Sequence, residues 1–174
     1  ALVSAGNFPH RLLDLVAEEV EREFNHPVLI REIHFDLNDY FDPARRQYNG
    51  NGLLRIVNEL ECPDAIKVAG LFSVDLYIPI LTFIFGQAIL GGRTAIASLF
   101  RLANERYGLE PDENLLRERF VKVVMHELGH AFGLVHCSVP TCIMRAGTYV
   151  EDIDQKNPGF CADCKEQLAQ FRHP

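Results

Sequence analysis

The sequence has no apolar run approaching a membrane span. A spanning helix needs about 20 consecutive apolar residues, and the longest apolar stretch, Ile78 to Ile84, is broken by Pro79 and Thr82. No basic-then-apolar leader opens the chain. It starts at Ala1 and not at methionine, as it would after removal of something upstream. Basic residues are scarce as well: 17 Lys and Arg against 24 Asp and Glu give a net charge of −7. A nucleic-acid partner calls for clustered Lys and Arg, so the charge argues against that class. The net charge says little about other substrates, because local charge at a cleft outweighs the sum. Internal repeats and low-complexity tracts are absent. What remains is an ordinary globular mix, 48% hydrophobic and 24% charged over 174 residues. That length suits one core and a monomer and is short for two domains. Without a leader, the expected location is the cytoplasm. There, five cysteines read as metal ligands sooner than as disulfides.

Periodicity gives the elements. Leu2 to Gly6 reads as the end of a strand. Pro9 opens a helix with Leu12, Leu15, Val16, Val20 and Phe24 on one face, stopped at Asn25-His26-Pro27. Val28 to Phe35 reads as a strand, with His34 a half-exposed strand histidine. Residues 36–51 read as a loop whose Tyr40, Phe41 and Tyr48 either pack beneath it or line a cleft. Leu53, Ile56, Val57 and Leu60 predict a second helix, and Ala65 to Phe72 a strand. Leu81 to Phe85 and Gln87 to Leu90, split by Gly86, predict β-runs that pair with Thr94 to Leu102 as a hairpin or adjacent strands. Cys62, far from the other cysteines, reads as a small buried hydrophobe.

A long helix is predicted from Glu110-Pro111-Asp112-Glu113 to about Phe132, with apolar residues at 116, 120, 123, 124, 128 and 131. At its end stands His126-Glu127-Leu128-Gly129-His130-Ala131-Phe132-Gly133-Leu134-Val135-His136. His126 and His130 lie one turn apart on one helical face, so two imidazoles reach one small cation. Gly133 tolerates the positive φ that ends a helix, and His136 then arrives from beyond the turn. Three neutral imidazoles leave one tetrahedral position open, the pattern of a catalytic zinc. Glu127 stands beside that position, placed to take a proton from water and pass it to a leaving amine. The alternative is a helix whose histidines are ordinary surface or core residues; the glycine and third histidine at the right offsets argue against it.

Cys137, Cys142, Cys161 and Cys164 form two pairs split by a loop. Such spacing suits a closed four-thiolate zinc site, with disulfides or a redox pair as alternatives. The stretch between Ser138 and Phe160 is poor in apolar residues, so a metal staple would supply stability a small core lacks. A last helix is predicted from Cys161 to Arg172 with Leu168 and Phe171 inward.

From the zinc-helix motif through the four cysteines, with Met144 between them, the chain resembles the archaemetzincins, a family of the metzincin clan of zinc peptidases. The resemblance covers Val121 to Cys164. It implies an α+β, metzincin-like fold: a twisted mixed sheet with packed helices, a zinc-binding helix and a small C-terminal subdomain stapled by zinc. One catalytic domain over residues 1–174 would divide near 133 and 134. Two zinc ions are implied, one catalytic and one structural. Met144 would be the Met-turn residue, a hydrophobic floor beneath the metal. Phe83 to Leu90 would be the edge strand along which a peptide substrate lies. Tyr149, placed further beyond Met144 than the clan's metal- or oxyanion-binding tyrosine, reads as a surface residue. Rival readings are a zinc hydrolase of non-peptide amides and a two-zinc interaction protein with little turnover. Intact Glu127 argues against the last, since a binding module needs no base.

Overall fold

The computed structural model describes residues 1–171. Its strands and helices run β1 (Leu2–Ala5), α1 (His10–Phe24), β2 (Ile30–Ile33), β3 (Phe41–Asp42), β4 (Gln47–Asn49), α2 (Gly50–Asn58), β5 (Val68–Phe72), β6 (Leu76–Tyr77), β7 (Gly86–Ala88), β8 (Thr94–Ser98), α3 (Glu113–Ala131), α4 (Val150–Asp154) and α5 (Ala162–Gln170). The main sheet has the order β2-β1-β5-β8-β7. All its pairings are parallel except β7 with β8.

The central strands are apolar on both faces, as parallel strands covered on both sides must be. Leu2, Ala69, Leu71 and Ala97 point into a core shared with α1 and α3. Val3, Val68, Phe72 and Ile96 point the other way, onto α2. Alternation along each strand therefore sorts the two layers. Leu12, Val16, Val20 and Phe24 of α1 are buried, as their spacing predicts, Leu15 is partly buried, and Leu13 joins the core as well. Each such side chain contributes about 1.5–3 kcal/mol on burial.

Several expectations shift. β2 is shorter than residues 28–35, and His34 lies exposed beyond its end. Residues 36–51 hold β3 and β4, which form a small second sheet with β6 in the order β3-β4-β6, and the start of α2. Asn49 caps α2, its side-chain oxygen accepting from Asn51 N and Gly52 N at 3.0 and 3.4 Å. Tyr40 and Tyr48 pack on the α2 core, and Phe41 lies against Tyr48 at 5.0 Å. Residues 81–85 form no regular strand beyond a bridge from Ile84 to Leu76, and β8 ends at Ser98. The predicted hairpin is present as β7 and β8. α3 begins at Glu113, after Asp112, whose side chain caps Leu115 N at 2.9 Å; Glu110 and Pro111 stand outside. α4 carried no clear periodic signal, being one turn long. Phe171 is 52% exposed and not inward, whereas Leu168 is buried. Arg172 lies outside the described residues.

The C-terminal segment is not a separate apolar island. Cys142, Ile143, Met144, Val150, Ile153 and Phe160 join the same core as α1 and α3. Phe24 of α1 stacks on Phe132 at 4.8 Å and meets Phe160 edge-on at 5.5 Å. Arg119 of α3 ties α4 down with a two-pronged bond, Nε and Nη2 donating to the Asp154 carboxylate, both at 2.7 Å. Its Nη1 donates to Leu102 O and Asn104 Oδ1, both at 2.8 Å. Such a fork is strong because geometry and charge agree. Arg119→Met should lower unfolding free energy by about 3 kcal/mol, since it strands Asp154 and two acceptors. Urea denaturation checks this; an unchanged midpoint would contradict the role of the clamp.

Candidate active site

The zinc-type helix ends as its sequence predicts. Gly133 has φ +98°. Leu134 N donates to Gly129 O and Gly133 N to His130 O, both at 2.9 Å, the bond pair of a Schellman turn. The last carbonyls of α3 also find partners from the sheet. Gly91 N, in the β7–β8 turn, donates to His130 O at 2.9 Å, and Lys67 Nζ donates to Ala131 O at 2.8 Å. The helix end is thus fixed from both sides.

The turn places His136 beside His126 and His130, whose ring centres are 4.6 Å apart. His136 lies 5.4 and 4.9 Å from them. Two backbone carbonyls orient the helix pair: Ile143 O lies 2.8 Å from His126 Nδ1, and Leu134 O 2.7 Å from His130 Nδ1. A carbonyl only accepts, so Nδ1 carries the proton in both rings and each Nε2 keeps a lone pair. Those two Nε2 atoms face each other at 3.1 Å. Two lone pairs at that distance repel unless a cation stands between them. Tetrahedral zinc–nitrogen bonds place neighbouring nitrogens about 3.3 Å apart, so the donor set fits zinc. Burial holds all three imidazoles below the ordinary histidine value, His126 at about 3, which keeps them neutral and able to ligate.

Glu127 sits under the edge strand. Its burial pushes the carboxyl up to about 8, with the Lys156 ammonium pulling the other way. The close cover is possible only because β7 begins with glycine: a Cβ on Gly86 would stand 2.6 Å from both Glu127 Cγ and Ile96 O. Gly129, on α3 between the two histidines, plays the same part below. A Cβ there would meet Met144 Sδ at 2.5 Å. Met144 is fully buried beneath the helix, where the resemblance puts the Met-turn residue. Gly86, Gln87 and Ala88 of β7 line a cleft of about 410 Å³ that also contains the three histidines and Glu127. β7 is the terminal strand of the sheet, so the edge-strand expectation holds in place, over fewer residues. Tyr149 is 66% exposed and stands outside the cleft lining.

The four sulfurs of Cys137, Cys142, Cys161 and Cys164 lie within 4.8 Å of one another. Cys137–Cys161 and Cys142–Cys164 are each 3.8 Å apart, too far for a disulfide. Tetrahedral zinc–sulfur bonds of about 2.3 Å imply that same separation. Val139 N donates to Cys137 Sγ and Cys161 N to Cys142 Sγ, both at 3.4 Å. Burial raises the Cys142 and Cys164 thiols, so a cation would be needed to hold them ionised together. Cys62 is buried apart from the cluster, its Sγ 3.6 Å from Arg31 Nη1.

Comparison with known proteins agrees with this geometry. The model of peptidase family M54 matches residues 20–170. An archaemetzincin of Thermococcus kodakarensis is 36% identical over 173 residues, covering 96% of this chain and 93% of its own length. The chain belongs to peptidase family M54, the archaemetzincins. The crystal structure of the Methanopyrus kandleri archaemetzincin superposes with a TM-score of 0.86 at 36% identity, covering 98% of this chain and 92% of that one. A zinc-dependent peptidase from Methanocorpusculum labreanum matches with a TM-score of 0.81 at 33% identity, covering 96% and 98%. This archaemetzincin is therefore a zinc metallopeptidase with the family's mixed α+β fold, acting on peptide or protein substrates.

Sequence reasoning missed the close-approach glycines and two lysines, Lys122 and Lys156, that line the cleft. Lys122 was discoverable: it stands four residues before His126, on the histidine face. Nothing near Lys156 in sequence marks it. Gly86→Ala should lower stability by about 1–3 kcal/mol and cut peptide hydrolysis sharply, because Ile96 O is backbone and cannot yield. Gly129→Ala should be milder, since a methionine sulfur can swing aside. Urea denaturation and turnover of both variants check this; a neutral Gly86→Ala would sink the close-packing account.

Proposed function

We propose that His126, His130 and His136 hold a catalytic zinc and that Glu127 is the general base and then the acid of peptide hydrolysis. The observation that carries this is the convergence of three neutral imidazole donors beside a buried carboxylate, under a free sheet edge. Zinc bound there would supply Lewis acidity, making water acidic near neutral pH and polarising a carbonyl. The chain's own residues do the rest. β7 offers its open edge to an extended peptide by strand addition. Gly86 keeps water from surrounding Glu127, whose burial raises its affinity for a proton. Gly133 and Met144 place the ligands and take no part in proton movement.

Cys137, Cys142, Cys161 and Cys164 hold a second, structural zinc in the same reading, two ions per chain. Four thiolates close the coordination sphere, so no hydrolysis occurs there. The chain then works as one catalytic unit, with a lower part beyond Gly133 that carries His136, Met144 and the cysteines. The need for reduced thiols supports a cytoplasmic location. A monomer without nucleic-acid or membrane partners fits the net charge of −7 and a set of described helices none of which is long and apolar enough to cross a membrane.

Glu127→Ala should lower turnover at least 10²-fold, about the minimum for acid–base assistance, and keep both zinc ions. His136→Ala should reduce zinc from two to about one per chain. Turnover and metal content of the same preparations check both; an active Glu127→Ala, or undiminished zinc in His136→Ala, removes the assigned role. Mild chelation should take the zinc of the three-histidine site first, abolish activity and move the melting temperature little. Cys164→Ser should instead lower melting by about 10 °C or more. Release of both ions together with unfolding would contradict this division.

A further inference from the structure

We propose that Lys122 and Lys156 form a carboxylate-binding subsite beside the three histidines, so that the enzyme favours peptides that present a carboxylate next to the scissile bond. The inference rests on the cleft being the peptide site. Both lysines line it, and both are 8% exposed. The Lys122 Nζ bonds to Ile153 O at 3.3 Å. Among the described residues no carboxylate stands at ion-pair distance from either lysine. The acidic groups that Lys156 feels are Glu127, Asp152 and the Cys142 thiol, which belongs to the cysteine cluster. Asp152 is occupied, its Oδ2 accepting from Thr148 N and Tyr149 N at 2.7 and 2.9 Å. Glu127 is the one nearby carboxylate left to offset two cations, and it exchanges a proton in the reaction.

Unpaired buried charge is costly, and packing alone does not call for two like charges in one pocket. The wall around them is apolar, with Phe83, Val123 and Ile153, so a charged partner is recognised in a low dielectric. Burial lowers the Lys156 pKa below its ordinary value, as expected of an ammonium short of partners. Lys122 lies one helical turn, about 5.4 Å, from His126 along the same face. Residues of an extended peptide advance about 3.3 Å each. A carboxylate on the residue flanking the scissile bond, or one residue beyond, therefore reaches the pair. Two sources supply such a carboxylate, an Asp or Glu side chain and the free C-terminus of a short peptide.

The test uses the zinc-loaded enzyme and matched peptides with Glu, Gln or Lys at each position around the cleavage site, and free or amidated C-termini. Glu should exceed Gln in kcat/KM by about ten- to hundredfold at one flanking position, chiefly through KM, with Lys poorest. If the carboxylate is instead the chain end, free termini gain the same factor over amides. Lys122→Met and Lys156→Met should each bring the ratio toward one, and the arginine variants should keep part of it. Binding of the same peptides to Glu127→Ala, followed by fluorescence anisotropy, should rank them alike. Equal cleavage of all peptides by the unaltered enzyme overturns the proposal without any variant. So does a uniform loss in the methionine variants with the ratio preserved, which would make the lysines catalytic or structural. Failure to cleave any peptide would count against the catalytic reading of the cleft, and the anisotropy ranking would still decide the subsite.

Discussion

Two hydrogen bonds hold the chemistry of this protein in place: Ile143 O with His126 Nδ1 and Leu134 O with His130 Nδ1. Each carbonyl fixes a tautomer and a ring plane, and so decides where a lone pair points. Neither carbonyl belongs to the helix that carries the histidines. Leu134 is delivered by the Schellman turn at Gly133, and Ile143 by the segment between the cysteine pairs. The cysteine cluster and the three-histidine cluster are therefore mechanically joined. Cys137 N bonds to Met144 O at 2.9 Å, and Cys142 precedes the carbonyl that orients His126.

The same region illustrates how tightly a hydrolytic cleft is built from small residues. Gly86 lets an edge strand lie on Glu127, and Gly129 lets Met144 lie under the helix. A methyl group at either place would enter occupied space. The result is a carboxylate with water excluded and a proton affinity near neutrality. Burial alone would take Glu127 in that direction; Lys156 restrains it. Lys156 thus belongs to the electrostatics of the centre as well as to the cleft wall.

Stability and function draw on one core. α1, α3 and the segment beyond Gly133 share a single apolar cluster, and the Arg119–Asp154 fork fastens α4 to α3 at its other end. The expectation of a lower part with little core of its own is right about its sequence. It overlooks the surface that α1 and α3 leave for it: Phe24 of α1 meets Phe160 edge-on, and the Phe160 ring lies close against Gly129 of α3.

The sequence by itself determined what depends on spacing along the chain. Helical period gave α1, α2 and α3, and the offsets of His126, His130, Gly133 and His136 gave the histidine cluster, because a helix turn sets two of them side by side and the glycine turn returns the third. The paired spacing of the cysteines gave the second cluster. The short strands of the small second sheet were not legible, since strands of two or three residues carry no period. Tertiary structure alone decided which glycines are contacts: Gly86 and Glu127 meet across forty residues of chain. It also brought Lys156 to Lys122, placed α4 against α3, and turned Phe171 half outward. Each of these depends on where two distant segments pack, and no local rule of propensity or spacing encodes that.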